Sequence, residues 1–98
     1  MNLYYTTFTN QNEAEHIGKT LVKEQLIKCM NILGEGKSVY EWQDKIEVTS
    51  EVYAILKSNL PLTKIEGRFC QLHSYDTPCI IELDIISASK AYAKWIEA

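Results

Sequence analysis

The spacing of apolar residues along the chain changes period several times, and each change predicts an element. Leu3–Phe8 (LYYTTF) is rich in aromatic and β-branched residues, the composition of a strand. Asn10 stands three residues before Glu13, a helix-start signature. From Asn12 to Leu26 the period becomes helical: Ala14, Ile17 and Leu21 recur on one stripe, and Val22 and Leu26 continue it. Glu15, Lys19, Lys23 and Glu24 occupy the wet face.

A short apolar run follows, Cys29–Leu33 (CMNIL), broken by Gly34 and Gly36, a pattern that predicts a bulge. The strand resumes as SVYEWQ, with Tyr40 and Trp42 on one face. Asp44-Lys45 reads as the hairpin turn, because Asp tolerates positive φ. The return strand, Ile46–Lys57, places Val52, Ala54 and Leu56 on one face and Tyr53 and Ile55 on the other. Both arms run past the usual strand length of about 5–6 residues. A core built from so short a chain cannot cover them, so pairing with another subunit is expected.

Pro61 suits the first turn of a second helix. Leu62, Ile65, Phe69 and Leu72 form its apolar stripe, and it ends near His73. After Pro78 the run CIIELDII predicts a buried strand, with Ile81, Leu83 and Ile85 facing one way and Glu82 and Asp84 the other. Ser89 can cap a last short helix bearing Tyr92, Trp95 and Ile96. The order is β-α-β-β-α-β plus a terminal helix: an α+β, ferredoxin-like topology with a long β2–β3 hairpin, as one domain over residues 1–98.

Composition narrows the functional classes. The 98 residues carry a net charge of −3, and no basic run is present. Nucleic acid and anionic membranes both need clustered cations, so neither is an expected partner. No stretch approaches the roughly 20 apolar residues of a membrane span. Three widely spaced cysteines, Cys29, Cys70 and Cys79, include no C-x-x-C pair, which suits free thiols in a reducing compartment. The N-terminal MNLYYTTFT shows no signal-peptide pattern, and the expected location is the cytoplasm.

Other users of this topology leave signatures that are missing here. The third strand, KIEVTSEVYAILK, lacks the glycines and basic lead of an RNA-recognition string. The loop FTNQNE holds neither the C-x-x-C of a copper chaperone nor the arginine of an acylphosphatase cradle. Four closely spaced cysteines for an iron–sulfur cluster are absent as well.

Individual residues carry two readings each. His73 can cap the second helix or act as a ligand or proton-exchanging group. With Tyr75 and Asp76 it forms a cluster capable of acid–base work, an enzymatic alternative. Cys29 packs as a small buried thiol, and Lys57 ends its strand in water. Glu82 and Asp84 share a strand face, either solvated or clamping a hard cation. Tyr40 and Trp42 read as packing groups at a subunit contact.

Taken together, CMNI at Cys29–Ile32, SVYEWQDK at Ser38–Lys45, ILK at Ile55–Lys57, LHSYDTPCI at Leu72–Ile80 and YAKW at Tyr92–Trp95 resemble the CutA family, named for divalent-cation tolerance. The resemblance covers nearly the whole chain. It implies a non-enzymatic homotrimer similar to the PII signalling proteins, with the long hairpins meeting between subunits and a signalling or metal-response role. It also implies intersubunit clefts lined by Cys29, Tyr40, Trp42, Glu51, Lys57, Tyr75 and Asp76. A small polar ligand or a divalent metal such as copper or zinc would bind there, with His73 as the metal ligand. Three positions depart from the family's usual pattern: Ser74 where Pro usually follows the His, Asp44 where Gly precedes the hairpin Lys, and Thr6 where some copper-associated members carry Cys.

Overall fold

The computed structural model describes residues Met1–Ala98. Seven elements follow in order: β1 (Asn2–Phe8), α1 (Gln11–Lys23), β2 (Cys29–Trp42), β3 (Lys45–Ser58), α2 (Leu62–Leu72), β4 (Ile80–Leu83) and α3 (Lys90–Glu97). The strands make one antiparallel sheet in the order β2-β3-β1-β4, the ferredoxin-like arrangement expected from the pattern.

Helix α1 begins where its sequence signature lies. The Asn10 side chain accepts the Glu13 N–H at 2.8 Å, and Glu13 returns a bond to the Thr9 N–H at 2.9 Å. It ends at Lys23, earlier than the apolar stripe suggests, because Gln25 turns to φ 61°. Leu26 therefore packs on the core from the connecting turn. Pro61 sits just before α2 as its cap, one position outside the first turn.

One side of the sheet carries the core. Tyr4 and Phe8 of β1, Leu56 of β3, Ile17 and Leu21 of α1, and Ile65 and Phe69 of α2 are fully buried. Val52, Ala54 and Leu56 point inward as the alternation requires. The glycine interruption in β2 is a bulge: Ile32 pairs with Ala54 and Gly34 with Tyr53, so Leu33 has no partner. Gly34 takes φ +131°, which a side chain would resist, and a Cβ at Gly36 would stand 2.5 Å from the Tyr53 ring.

The hairpin turn is Gln43-Asp44, not Asp44-Lys45. Trp42 pairs with Lys45, and both intervening residues have positive φ, 51° and 64°. A two-residue turn of this hand matches the twist of the arms, so the ladder closes one position earlier than Asp44 alone implies. β4 is also shorter than the apolar run predicts, and it is not buried: Ile81 is 52% and Ile86 fully exposed. It is an edge strand with no neighbour beyond it.

Beyond Val52 the hairpin leaves the body. β1 pairs with β3 only over Val52–Ser58, so the Lys45–Glu51 stretch has β2 as its sole strand partner. At about 3.4 Å per residue this is an arm on the order of 20 Å long. It accounts for the elongated shape of 46 × 26 × 23 Å.

Candidate functional site

A cavity of about 730 Å³ runs from the root of the arm, where β1 ends and the hairpin departs, outward to Trp42 beside the hairpin turn. Tyr40, Trp42 and Glu51 line it from the hairpin, Thr7 and Thr9 from the end of β1, and Tyr75, Asp76 and Cys79 from the α2–β4 connection. The register explains why the hairpin residues meet. Gly36, opposite Glu51, shares a strand parity with Tyr40 and Trp42, so all three side chains leave the same face of the hairpin. No Lys or Arg lines this cavity.

His73 lies behind the cavity and organises it. The ring is fully buried, stacked on Phe8 at 5.3 Å and tilted against Phe69 and Tyr75. Its Nε2 lies 2.8 Å from the Thr7 carbonyl, which can only accept, so Nε2 carries the proton and donates. Nδ1 then accepts the Tyr75 N–H at 3.1 Å. This fixes the neutral Nε2–H tautomer and leaves neither ring nitrogen a free lone pair. The candidate metal ligand is thus a bracket between β1 and the Tyr75 turn. Its backbone N–H, bonded to Phe69 O at 3.1 Å, closes α2.

Glu13 fastens the same turn from α1. Its second oxygen accepts the Ser74 N–H at 2.9 Å, and the Ser74 hydroxyl meets Thr9 Oγ1 at 2.9 Å. Burial opposes ionisation of Glu13, yet the Ser74 and Thr9 bonds prevail and hold its carboxyl below the usual range. A proline at position 74 could not donate this backbone bond.

Bracketed in this way, Tyr75 donates its hydroxyl to Glu51 Oε2 at 3.0 Å. Burial pushes the Tyr75 phenol up, and the Glu51 carboxylate pushes it further. The Cys79 thiol is raised for the same two reasons, which keeps it protonated at neutral pH. Thr6 is buried and donates to Cys79 O at 2.6 Å.

Cys29 and Lys57 are not part of this cavity. They face each other across the β2–β3 ladder at the far end of β3. There Lys57 Nζ donates to the Tyr92 hydroxyl at 2.9 Å and lies 4.9 Å from that ring's centroid. Lys28 Nζ stands 5.2 Å from the centroid of the Trp95 ring, so α3 clamps both lysines. YAKW is visible in the sequence, but its pairing with Lys57 and Lys28 joins residues too far apart in the chain for spacing to reveal.

Within one chain these residues do not make a metal centre. No three His, Cys, Asp or Glu side chains converge. His73 has no free nitrogen, Cys79 is a neutral thiol, and one Glu51 oxygen is taken by Tyr75.

Comparison with known proteins places the architecture. Residues 2–98 match the family described as CutA1 divalent ion tolerance protein. The chain is 43% identical over 97 residues to the divalent-cation tolerance protein CutA of Pyrococcus horikoshii, covering 98% of this chain and 94% of that one. The crystal structure of the Pyrococcus horikoshii CutA1 superposes with a TM-score of 0.91 at 41% identity, over 99% of this chain and 95% of that one. An Archaeoglobus fulgidus structure, described as a periplasmic divalent cation tolerance protein CutA, gives 0.91 at 34% identity, over 98% and 94%. The family is named for tolerance of ions, not for a catalysed reaction. With its fold and nearly its whole length matched in this way, the chain belongs to the CutA family of divalent-cation tolerance proteins.

Proposed function

We propose that the chain is a non-enzymatic, trimeric binding protein whose arm-root cavity takes a small positively charged ligand. The observation that carries this reading is the lining: Glu51 and Asp76 bring two carboxylates, several hydroxyls surround them, and no Lys or Arg is among the lining residues, Lys37 reaching only the Ser50 hydroxyl at the edge. A trimer would place each cavity between subunits, since the arm that forms one wall projects beyond its own body. Such an arrangement couples ligand to subunit contact, as a PII-like signalling or metal-response role requires.

Catalysis by His73, Tyr75 and Asp76 is disfavoured by their bonding. The His73 ring is committed at both nitrogens to backbone groups, and the Tyr75 phenol is held protonated. A divalent ion such as copper or zinc is a second candidate for the positive charge. It would need Glu51 and Asp76 as hard donors, completed by a neighbouring copy.

Titration calorimetry with ammonium-type and divalent cations, against chloride and acetate salts of matched ionic strength, tests the reading. Cations are expected to bind, with affinity falling about tenfold or more in the Glu51→Gln/Asp76→Asn double variant, through loss of both carboxylates. Equal binding by wild type and double variant would remove the cavity from the function.

A further inference from the structure

We infer, resting on the cation-binding reading above, that Glu13 and Ser74 are positioning residues for the carboxylates at the arm root. The bond between them ties helix α1 to the turn that sets Tyr75 and Asp76 against Glu51, and so sets the affinity for a cation that neither residue touches.

Ser74 stands where the CutA pattern usually has proline. The residue before it, His73, has φ −77° and ψ 145°, the extended conformation that a following proline requires. The backbone thus keeps the shape that a proline imposes, without the ring. Serine also leaves this position a backbone N–H, which proline lacks, and Glu13 Oε2 accepts it at 2.9 Å. A local constraint is replaced by a bond to a residue 61 positions earlier in the chain.

Glu13 reaches further than this one bond. Its other oxygen accepts the Thr9 N–H at 2.9 Å, and the Ser74 and Thr9 hydroxyls meet at 2.9 Å. One carboxylate therefore joins the start of α1, the end of β1 and the turn after α2. Thr9 lines the cavity, so the junction lies beside it. Bonds to an ionised carboxylate are roughly twice as strong as neutral ones, which suits Glu13 to hold a turn whose Ser74, Asp76 and Thr77 are exposed.

The turn carries one wall of the cavity. Tyr75, Asp76 and Thr77 follow Ser74 and all line it, whereas Glu13 and Ser74 do not. Tyr75 donates its hydroxyl to Glu51 at 3.0 Å, and Asp76 is its chain neighbour, so the turn brings a second carboxylate to the end of the cavity where Glu51 stands. Two carboxylates repel each other, and a cation gains most when both are held in place before it arrives. A turn free to swing would let Asp76 move away, and the cation would then meet one carboxylate instead of two.

The test is a double-mutant cycle on the full chain at pH 7. Calcium and n-butylammonium are the calorimetric probes, and the cycle is read on whichever binds the wild type. Glu13→Ala and Ser74→Pro should each weaken binding about threefold or more, the order of what one freed side chain costs. The double variant should bind no more weakly than Glu13→Ala alone, because the proline breaks a bond that the alanine has already removed. Ser74→Ala keeps the N–H and should lose less than Ser74→Pro. Glu15→Ala removes a charge from the exposed face of α1 and should leave affinity unchanged. Far-UV spectra and oligomeric mass should match wild type throughout, and the Tyr75 amide should exchange faster in both single variants. Additive losses, or Ser74→Pro binding as tightly as wild type, would overturn the inference while leaving the cation reading standing. A wild type that binds neither probe, or binds it as well after Glu51→Gln/Asp76→Asn, would end both.

Discussion

The two halves of β3 obey the same alternation and meet different fates. From Val52 to Ser58 every second residue is buried, because β1 lies alongside and α1 and α2 cover that face. From Lys45 to Glu51 the pairing with β2 continues without a break, but Ile46 and Val48 remain 70% and 61% exposed, opposite an equally exposed Val39. Strand formation is local and follows from the residues themselves. Burial is not local: it depends on what packs against the strand. The distal arm carries an apolar alternation that nothing within this chain covers, and the exposed apolar β4 edge repeats the situation on the far side of the sheet.

Breaking the body should cost far more than trimming the arm of an isolated chain. Phe69→Ala removes a fully buried ring and is expected to lose about 3–5 kcal/mol in urea unfolding. Val48→Ala should change the stability of a dilute monomer by less than about 0.5 kcal/mol, and by more as concentration rises if copies cover the arm. Equal losses from the two substitutions at every concentration would erase the distinction between the halves.

His73 ties the body to the root of the arm, so His73→Ala should fall between those extremes, at about 2–3 kcal/mol, removing a buried ring and the bond its Nε2 donates to the Thr7 carbonyl. The amide of Tyr75 should exchange faster as its acceptor is lost. Unchanged exchange there would show that the turn does not depend on the ring.

Glu13 fastens the same turn by charge, so its contribution should vary with pH. Its folded carboxyl is held below the usual value, so the stabilisation is complete above the unfolded pKa and is lost as pH falls through the folded one. Glu13→Gln is expected to cost about 1–2 kcal/mol at pH 7, with the gap from wild type closing below about pH 4. Urea unfolding of both proteins at pH 7 and pH 3 checks the sign, and a gap that widens in acid would contradict it.

The smallest effect belongs to the arm's tip. Gln43 and Asp44 both adopt positive φ, which Asn-Gly accommodates with less strain. The Gln43→Asn/Asp44→Gly pair should stabilise by about 1 kcal/mol or less, slowing amide exchange along the arm more than it shifts body unfolding. A destabilised arm would mean that the turn is not of this type.

Topology is legible in the sequence because periodicity reports local conformation. The asparagine cap, the apolar stripe of the second helix and the glycine bulge lie where their residues place them, whereas the first helix stops short of its stripe. The turn position was less legible: Asp44 signals positive φ, whereas Gln43 is a residue that gives no such warning. The run CIIELDII looks like a buried strand because its composition encodes burial without saying which chain provides it. At the site, the spacing brings His73, Tyr75 and Asp76 into view together. What it conceals is that both His73 nitrogens point at backbone groups, one of them in β1, a fact carried only by the fold. Glu13 was visible as a cap, but its second bond to Ser74 spans too much of the chain for any local signal.

The central claim is that the exposed alternation of the distal arm is completed by further copies of this chain. Size-exclusion chromatography with light scattering, at micromolar concentration, tests it most directly. Wild type should have three times the 11.3 kDa chain mass, and an Ile46→Asp/Val48→Asp variant should fall toward the single-chain mass while its body stays folded. A wild-type mass of one chain across the accessible concentration range would contradict the account.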